Sequence, residues 1–188
     1  MGTRGALVAA ALAAAAFAGC GGDEKGNNES KLPPADGTMK LASPQIKNGG
    51  AIPKELTCDG AGTAPTITWR EAPSGQAVEL VLVVEDPDAK GGFIHWTAYG
   101  MTAATGSGLA PEGQFPAGTK YGENSAGKTG WTPPCPPEGD AAHRYIFSMY
   151  ALKDATGLEE GASPDAVLAK LKGAVASGSF TGTYKRAT

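Results

Sequence analysis

The chain contains only two histidines, and both stand in a similar local setting. His95 comes two residues after Phe93, and His143 comes two residues before Tyr145. Because alternate side chains of a β-strand share a face, each imidazole is expected to lie beside its aromatic neighbour. Two such strands side by side would form one floor of two imidazoles and two aromatic rings. Imidazoles that donate hydrogen bonds suit a small anion.

Acidic residues and prolines lie close to these histidines. Asp86, Pro87 and Asp88 directly follow a long apolar run, and residues 133–137 read Pro-Pro-Cys-Pro-Pro just before His143. A carboxylate such as Asp86 can accept an imidazole N–H or a proton from a ligand oxygen, and prolines fix the backbone. The combination predicts a small rigid pocket for a phosphate-like anion. Each part alone also fits a structural role, because a strand often ends in an Asp-Pro-Asp turn and a histidine can simply be buried.

Other chemistries fit the same residues less well. Two histidines and two aspartates could bind zinc or iron, but no His-x-His or His-x3-His spacing is present. The hydrolase motif Gly-x-Ser-x-Gly is absent, since residues 122–127 have the wrong spacing. A thiol nucleophile at Cys135 is disfavoured by its flanking prolines and by the oxidation expected outside the cytoplasm. We therefore expect no metal, no cofactor and no enzymatic activity.

The elements that must position these residues are mainly strands. Residues 66–69 alternate polar and apolar side chains, whereas residues 77–84 form a nearly continuous β-branched run typical of a central strand. Residues 93–99 and 144–152 are further strand candidates, rich in aromatic and aliphatic side chains. A closing strand is expected near residues 180–184. The sequence predicts a loop between residues 104 and 142.

A helix is predicted only near the carboxyl end. Ser163 supplies an N-cap, Pro164 a first helical residue and Asp165 an acid in the first turn. An apolar stripe follows at Val167, Leu168, Leu171 and Val175. The predicted fold class is therefore mainly β: an antiparallel β-sandwich with one or two small C-terminal helical elements.

Composition limits the classes of partner. The 188 residues include 28 glycines and 14 prolines, well above the usual share, which indicates many turns. The length fits a single domain with a real hydrophobic core. The net charge is −3 and no cluster of Lys and Arg is present, so a nucleic-acid partner is not expected.

The amino terminus has the pattern of an export signal. A short basic start is followed by an apolar run and then by Phe17-Ala18-Gly19-Cys20, which resembles the lipobox of bacterial lipoproteins. This resemblance implies a signal peptide at residues 1–19, a lipidated Cys20 with a flexible linker at residues 20–37, and a folded domain at residues 38–188. Two acyl chains would anchor the protein to a membrane outside the cytoplasm. An ordinary cleaved signal peptide and a buried apolar helix are the alternatives.

Cys58 and Cys135 remain once Cys20 is assigned to the anchor. An oxidising compartment allows them to form a disulfide, which would stabilise the fold by roughly 4 kcal/mol in the chain-entropy model. Two buried free thiols are equally compatible with the sequence.

The motifs together resemble the phosphatidylethanolamine-binding protein family, in its bacterial Raf-kinase-inhibitor-like branch. The resemblance covers residues 41–186 and rests on Asp86-Pro87-Asp88-Ala89, on Gly91 to Trp96, on Pro134 to Asp140, and on His143-Arg144-Tyr145. It implies a β-sandwich whose large antiparallel sheet supports a shallow pocket at one end for phosphate-like anions. The implied ligand-binding residues are Asp86, Asp88, Phe93, His95, Pro136, Pro137, His143 and Tyr145, with Tyr184 added if the C-terminal segment folds over the site.

Three positions depart from the family pattern. Lys90 stands in place of a proline after the Asp-Pro-Asp-Ala motif, and Pro133 stands in place of a glycine before Pro134. Gly100 replaces an asparagine after the His-Trp strand. Because proline has no N–H and cannot adopt a positive φ, the pocket is expected to be narrower or to lack one donor.

The sequence therefore predicts a lipid-anchored binding protein with a small-anion pocket. Its expected partners are a phosphate-like anion or a phospholipid head group, and the membrane that holds its anchor. The alternative is a kinase- or protease-inhibitor-like modulator that acts through protein–protein contact.

Overall fold

The computed structural model describes residues 1–2, 29–34, 36–104, 106–110 and 113–187. Nearly all of the expected signal peptide, the expected lipidation site Cys20 and the first part of the expected linker lie outside these residues. No helix within the described residues is long and apolar enough to cross a membrane.

The described residues form two antiparallel sheets, one small α-helix and two short 3₁₀ turns. The small sheet has the order β1-β2-β5 and the large sheet the order β6-β4-β3-β7-β8. This arrangement confirms the mainly β sandwich with small helical elements. The bounds are β1 Lys40–Ala42, β2 Ile67–Arg70, β3 Glu79–Asp86, β4 Phe93–Thr102, β5 Gly108–Ala110, β6 Lys120–Tyr121, β7 His143–Leu152, α1 Pro164–Lys170 and β8 Ala174–Tyr184, with 3₁₀ turns at Lys54–Leu56 and Leu171–Gly173.

Strand β3 is the centre of the large sheet, between β4 and β7, and all its side chains are buried. Successive side chains point to opposite faces, so Leu80, Leu82 and Val84 belong to the core between the sheets. Val81 and Val83 belong to a second core on the outer face. Burial on both faces explains why β3 reads as a continuous apolar run instead of an alternating one.

The outer face of the large sheet is covered by α1 and by residues 29–34 and 36, which we call the strap. Leu32 is buried there, the Tyr150 hydroxyl donates to the Pro33 carbonyl at 2.6 Å, and Asp36 accepts from the Ser177 N–H at 2.8 Å. The sequence predicts a linker through residue 37, whereas the structure packs the strap onto the sheet. Leu32 favours this packing, because its apolar side chain is buried in the outer core.

Helix α1 begins as predicted, because the Ser163 hydroxyl accepts from the Ala166 N–H and Pro164 occupies the first turn. Val167 and Leu171 are buried against the outer core. The prediction for Val175 is wrong: the chain turns at Gly173, and Val175 lies in β8 with 42% of its surface exposed.

Three short strands were not predicted. β1 was not identified, and β5 and β6 lie within residues 104–142, which the sequence predicts as loop. Strands of two or three residues are too short for an alternating pattern to distinguish them from loops.

Candidate functional site

A cavity of about 380 Å³ lies at the end of the large sheet where β3 ends and β4 and β7 begin. The structure brings all eight predicted ligand-binding residues together around it. Its lining residues are Asp86, Asp88, Ala89, Lys90, Phe93, His95, Thr132, Pro133, Cys135, Pro136, Pro137, Asp140, His143 and Tyr145.

A β-bulge places His95 in this cavity. Ile94 pairs with Glu85 and Trp96 pairs with Val84, so His95 is an extra residue in β4 without a partner in β3. Bulges redirect side chains and often occur beside functional sites. Here the bulge lets His95 lie against Phe93, with ring centroids 4.6 Å apart, while Trp96 still packs in the inner core.

His95 is fixed by the backbone of Thr132. The His95 Nδ1 lies 2.8 Å from the Thr132 carbonyl oxygen, and the Thr132 N–H donates to the His95 carbonyl at 3.0 Å. A carbonyl oxygen can only accept, so Nδ1 carries the ring proton. Burial lowers the pKa of His95 below its usual value of 6.5. The ring is therefore neutral at pH 7, and Nε2 is left as a hydrogen-bond acceptor.

His143 is fixed by a carboxylate instead. Its Nδ1 donates to Asp86 Oδ2 at 2.8 Å. The other oxygen, Asp86 Oδ1, accepts from the backbone N–H groups of Asp88 and Ala89 at 2.9 and 3.0 Å. Asp86 is buried and thus has the orienting role that the sequence analysis expected. The remaining nitrogen, His143 Nε2, lies 3.6 Å from Asp140 Oδ2.

Asp88 stabilises the rim of the cavity by pairing with Arg144. The guanidinium donates to both carboxylate oxygens at 2.7 and 2.9 Å, and the Arg144 backbone N–H donates at 2.8 Å. The hydrogen bonds from Arg144 lower the pKa of Asp88. The negative charge of Asp88 is therefore compensated, and the loop after β3 is joined to the start of β7.

Tyr145 forms part of the floor and presents an unused polar group. Its ring packs edge-on against His95, with centroids 5.2 Å apart. Its buried hydroxyl has no hydrogen-bond partner among the residues that the structure describes. Burial raises the pKa of Tyr145, and the nearby Asp86 carboxylate raises it further. The hydroxyl therefore stays protonated and can donate a hydrogen bond. Leaving a buried donor without a partner is costly, so a ligand oxygen that accepts from it would be stabilising.

The proline wall is tied to a neighbouring loop by a disulfide. The structure joins Cys58 to Cys135, with their Cα atoms 5.3 Å apart, and the Cys58 N–H donates to the Pro134 carbonyl at 3.0 Å. The Trp131 indole adds a hydrogen bond to the Gly62 carbonyl at 3.0 Å. Closing a loop of 77 residues stabilises the native state by about 4 kcal/mol in the chain-entropy model.

Two supporting residues were missed by the sequence analysis. Thr132 acts through its backbone carbonyl, which no residue type reveals. Asn124 is buried, and its amide donates to the Thr132 hydroxyl at 2.7 Å and to the Gly130 carbonyl at 3.0 Å. An isolated asparagine between glycines gives a turn signal only, so its structural role could not be predicted.

Of the three residues that depart from the family pattern, two line the cavity and one lies in a bulge of β4. Lys90 and Pro133 both line the cavity. Gly100 lies in a second bulge of β4 with φ of 80°, a conformation that glycine and asparagine adopt more easily than other residues. The replacement at position 100 is therefore compatible with the same backbone.

Tyr184 is not among the residues that line the cavity. Its hydroxyl donates to Asp59 Oδ2 at 2.6 Å, and Arg186 donates to the same carboxylate. The C-terminal strand pairs with the start of β7 but does not bring this side chain to the site. Within the described residues, no three His, Cys, Asp or Glu side chains are close enough together to hold a metal ion.

Known proteins resemble this chain in sequence and in fold. The family model of the phosphatidylethanolamine-binding protein matches residues 42–185. LppC of Mycobacterium tuberculosis, a candidate lipoprotein by its name, is 41% identical over 164 residues, which cover 79% of each chain. A candidate phosphatidylethanolamine-binding protein homologue from Chlamydia trachomatis superposes with a TM-score of 0.70 at 36% identity, covering 79% of this chain and 98% of that one. YbcL of Escherichia coli, described as a member of the mammalian family, superposes with a TM-score of 0.72 at 28% identity, covering 79% and 99%.

Proposed function

The chain belongs to the phosphatidylethanolamine-binding protein family, and from that premise we propose that its cavity binds a small phosphate-type anion, free or as a phospholipid head group. The observation that carries this proposal is the convergence of His95, His143 and Asp86 on one cavity that also contains an unpartnered Tyr145 hydroxyl. Polar groups that converge in an otherwise apolar cavity are typical of small-molecule sites.

The polar groups suit an anion that retains one proton. His143 can donate from Nε2 when it is protonated, and the Tyr145 hydroxyl can donate as well. His95 is neutral, so its Nε2 can accept a hydrogen bond from a protonated oxygen of the ligand. A phosphate monoester near neutral pH can offer both a protonated oxygen that donates and unprotonated oxygens that accept, because its second pKa is about 6. The sequence analysis expected both imidazoles to donate, whereas the hydrogen bond to Thr132 assigns His95 the opposite role.

The shape of the cavity supports a small ligand. A volume of about 380 Å³ accommodates a phosphate group with a short substituent. The proline wall and the disulfide make that shape rigid, so little conformational entropy is lost on binding.

We propose further that the protein is anchored through acyl chains on Cys20 and faces the outside of the cytoplasm. The lipobox-like sequence before Cys20 supports the anchor, as does the name of the mycobacterial relative. The Cys58–Cys135 disulfide supports an oxidising compartment.

Binding without catalysis is the activity that the side chains favour. Cys135 is oxidised and so is no thiolate nucleophile. The raised pKa of Tyr145 disfavours a phenolate nucleophile. Asp86 already accepts three hydrogen bonds, which disfavours its use as a general base.

Isothermal titration calorimetry with inorganic phosphate and with phosphoethanolamine tests the pocket. We expect His143→Ala to weaken binding by about ten- to a hundred-fold, the loss of one hydrogen bond between charged groups. Tyr145→Phe should weaken binding several-fold. Tyr184→Phe is the matched control, since it removes a tyrosine hydroxyl that lies outside the cavity.

Equal affinities for the wild type, His143→Ala and Tyr145→Phe would contradict the pocket, provided that circular dichroism shows all variants folded. A modulator that acts through protein–protein contact predicts that equality, because its function would not depend on the cavity.

A further inference from the structure

The strap enters the domain at the cavity end of the large sheet. The Ser30 hydroxyl and the Lys31 N–H donate to the buried carboxylate of Glu85, next to Asp86. The Lys31 ammonium donates to the Gly91 carbonyl. Gly91 directly follows the loop that contributes Asp86, Asp88, Ala89 and Lys90 to the cavity. The first residues of the strap therefore contact the loop that forms the cavity rim.

From there the strap runs away from the cavity. Pro33 accepts from Tyr150, whose partner in β3 is Val81, near the opposite end of that strand. Asp36 then accepts from Ser177, which pairs with Tyr150. The direction of the strap is thus determined by the hydrogen bonds of Ser30, Lys31, Pro33 and Asp36. The described part of the strap therefore begins near the end of the sheet that holds the cavity.

The distance to the expected anchor is short. Cys20 is nine residues before Glu29, so the two cannot be more than about 30 Å apart in any conformation. β3 has eight residues and is about 26 Å long. An anchor on Cys20 would therefore hold the start of the strap within about 30 Å of the membrane, whereas the far end of β3 could lie up to one strand length further away.

We propose that the anchored protein presents its cavity end to the membrane, so that the cavity samples phosphate head groups of lipids in the same bilayer. This inference rests on the proposed anchor and anion pocket. The cavity end carries both signs of charge, with Lys31 and Lys90 beside Asp140 and Glu138. The tether, and not electrostatic attraction to anionic lipid, thus sets the orientation, which should be insensitive to salt.

Fluorescence quenching in vesicles tests the orientation. The lipidated protein is reconstituted into phosphatidylcholine vesicles that contain a lipid with a nitroxide on its head group. A fluorophore is attached at Lys90→Cys on the cavity rim or at Val78→Cys, which is exposed just before the far end of β3. We expect at least two-fold stronger quenching at position 90, at low and at high salt. Equal quenching, or stronger quenching at position 78, would overturn the proposed orientation.

A second experiment distinguishes lipid head groups from free anions. The apparent Kd for inorganic phosphate is to be measured with the protein anchored in two kinds of vesicle. One kind consists of phosphatidylethanolamine and the other of a neutral glycolipid that lacks phosphate. Competition by the lipid should raise the apparent Kd in the first case. Inserting 20 Gly/Ser residues between Lys25 and Gly26 should reduce that rise about six-fold, because effective concentration falls with roughly the −3/2 power of tether length.

The outcomes separate the two proposals. An equal apparent Kd in both kinds of vesicle, with phosphate still bound, would overturn sampling of the bilayer and leave the pocket intact. No binding of phosphate to the protein in glycolipid vesicles would refute the proposed function. A mature protein whose mass lacks acyl chains on Cys20 would refute the anchor.

Discussion

His95 and His143 contribute to one cavity, but their ring nitrogens have different neighbours. A carbonyl oxygen next to Nδ1 of His95 fixes the neutral ring with Nε2 as an acceptor. A carboxylate accepts the Nδ1 proton of His143, and Nε2 of that ring is a donor when the ring is protonated. At the scale of single residues, the site therefore combines one acceptor and one chargeable donor, which suits a monoprotonated anion better than two identical donors would.

The lowered pKa of His95 makes stability depend on pH. The unfolded chain binds a proton at His95 below about pH 6.5, whereas the folded protein does so only at lower pH. This contribution is fully present above the unfolded pKa of 6.5 and is lost as the pH falls towards the folded value. We expect the free energy of unfolding, measured with urea, to fall by up to about 1.4 kcal/mol per pH unit just below pH 6.5.

The variant His95→Gln isolates this effect, because glutamine does not titrate. The difference in unfolding free energy between wild type and variant should become smaller, or reverse, as the pH falls from about 7 to 5.5. A difference that does not change with pH would mean that burial does not shift the titration of His95. Asp88, whose pKa is also lowered, contributes stability that is constant above its usual value of 3.8 and is lost only below it, so it does not change the stability in this range.

Side-chain type was a good guide to the residues around the cavity. Two histidines, Asp86, the prolines and Tyr145 could be named from the sequence because their chemistry is unusual and their motifs are close together. The roles of Thr132 and Asn124 could not, since one acts through its backbone and the other by joining a loop to itself. Tyr184 was uncertain because its position depended on where a terminal strand would lie.

At the scale of elements, the long strands were predictable and the irregular positions were not. β3 and β7 have β-branched and aromatic side chains over eight and ten residues, enough to distinguish them from loops. The bulge at His95 leaves no sequence signal, because it depends on the register between β4 and β3. Yet this bulge places both His95 and Trp96 on the inner side of the sheet.

The strap should be an integral part of the folded domain. A chain that begins at Thr38 loses the buried Leu32 and leaves the Glu85 carboxylate and the Tyr150 hydroxyl without the partners that the strap provides. We expect it to be less stable than a chain that begins at Glu29 by at least about 3 kcal/mol. Urea unfolding followed by circular dichroism measures the difference.

The chain that begins at Glu29 serves as the reference, because it keeps every described contact of the strap. Coincident unfolding midpoints for the two chains would show that the strap adds nothing to stability, and the domain would then begin at Thr38 as the sequence predicts.

At the scale of the whole molecule, the two cores hold different parts of the chain against the large sheet. The inner core joins the two sheets beside the cavity, and the outer core holds the strap and α1 against the large sheet. The strap begins at the cavity end, so the position of the site and the exit of the chain are determined by the same sheet. The sequence predicted the pocket and the linker separately but not their proximity, which depends on how the strap packs on the sheet.

The proposed anchor predicts a specific modification. Mature wild-type protein should begin at Cys20, carry acyl chains and partition into the detergent phase, because two chains give stable membrane attachment. Cys20→Ala should remove the modification, because the side chain that would carry the acyl chains is absent. Mass spectrometry of both proteins measures this. A wild-type mature protein without acyl chains would contradict the anchor.

The most direct test of the central claim is a titration with phosphate followed by NMR of the two imidazole rings. The chain has only two histidines, so the spectrum of His95→Gln assigns both. We expect the resonances of both rings to shift with one saturation curve. Resonances of both rings that do not change at any phosphate concentration would contradict the proposal that the cavity binds a phosphate-type anion.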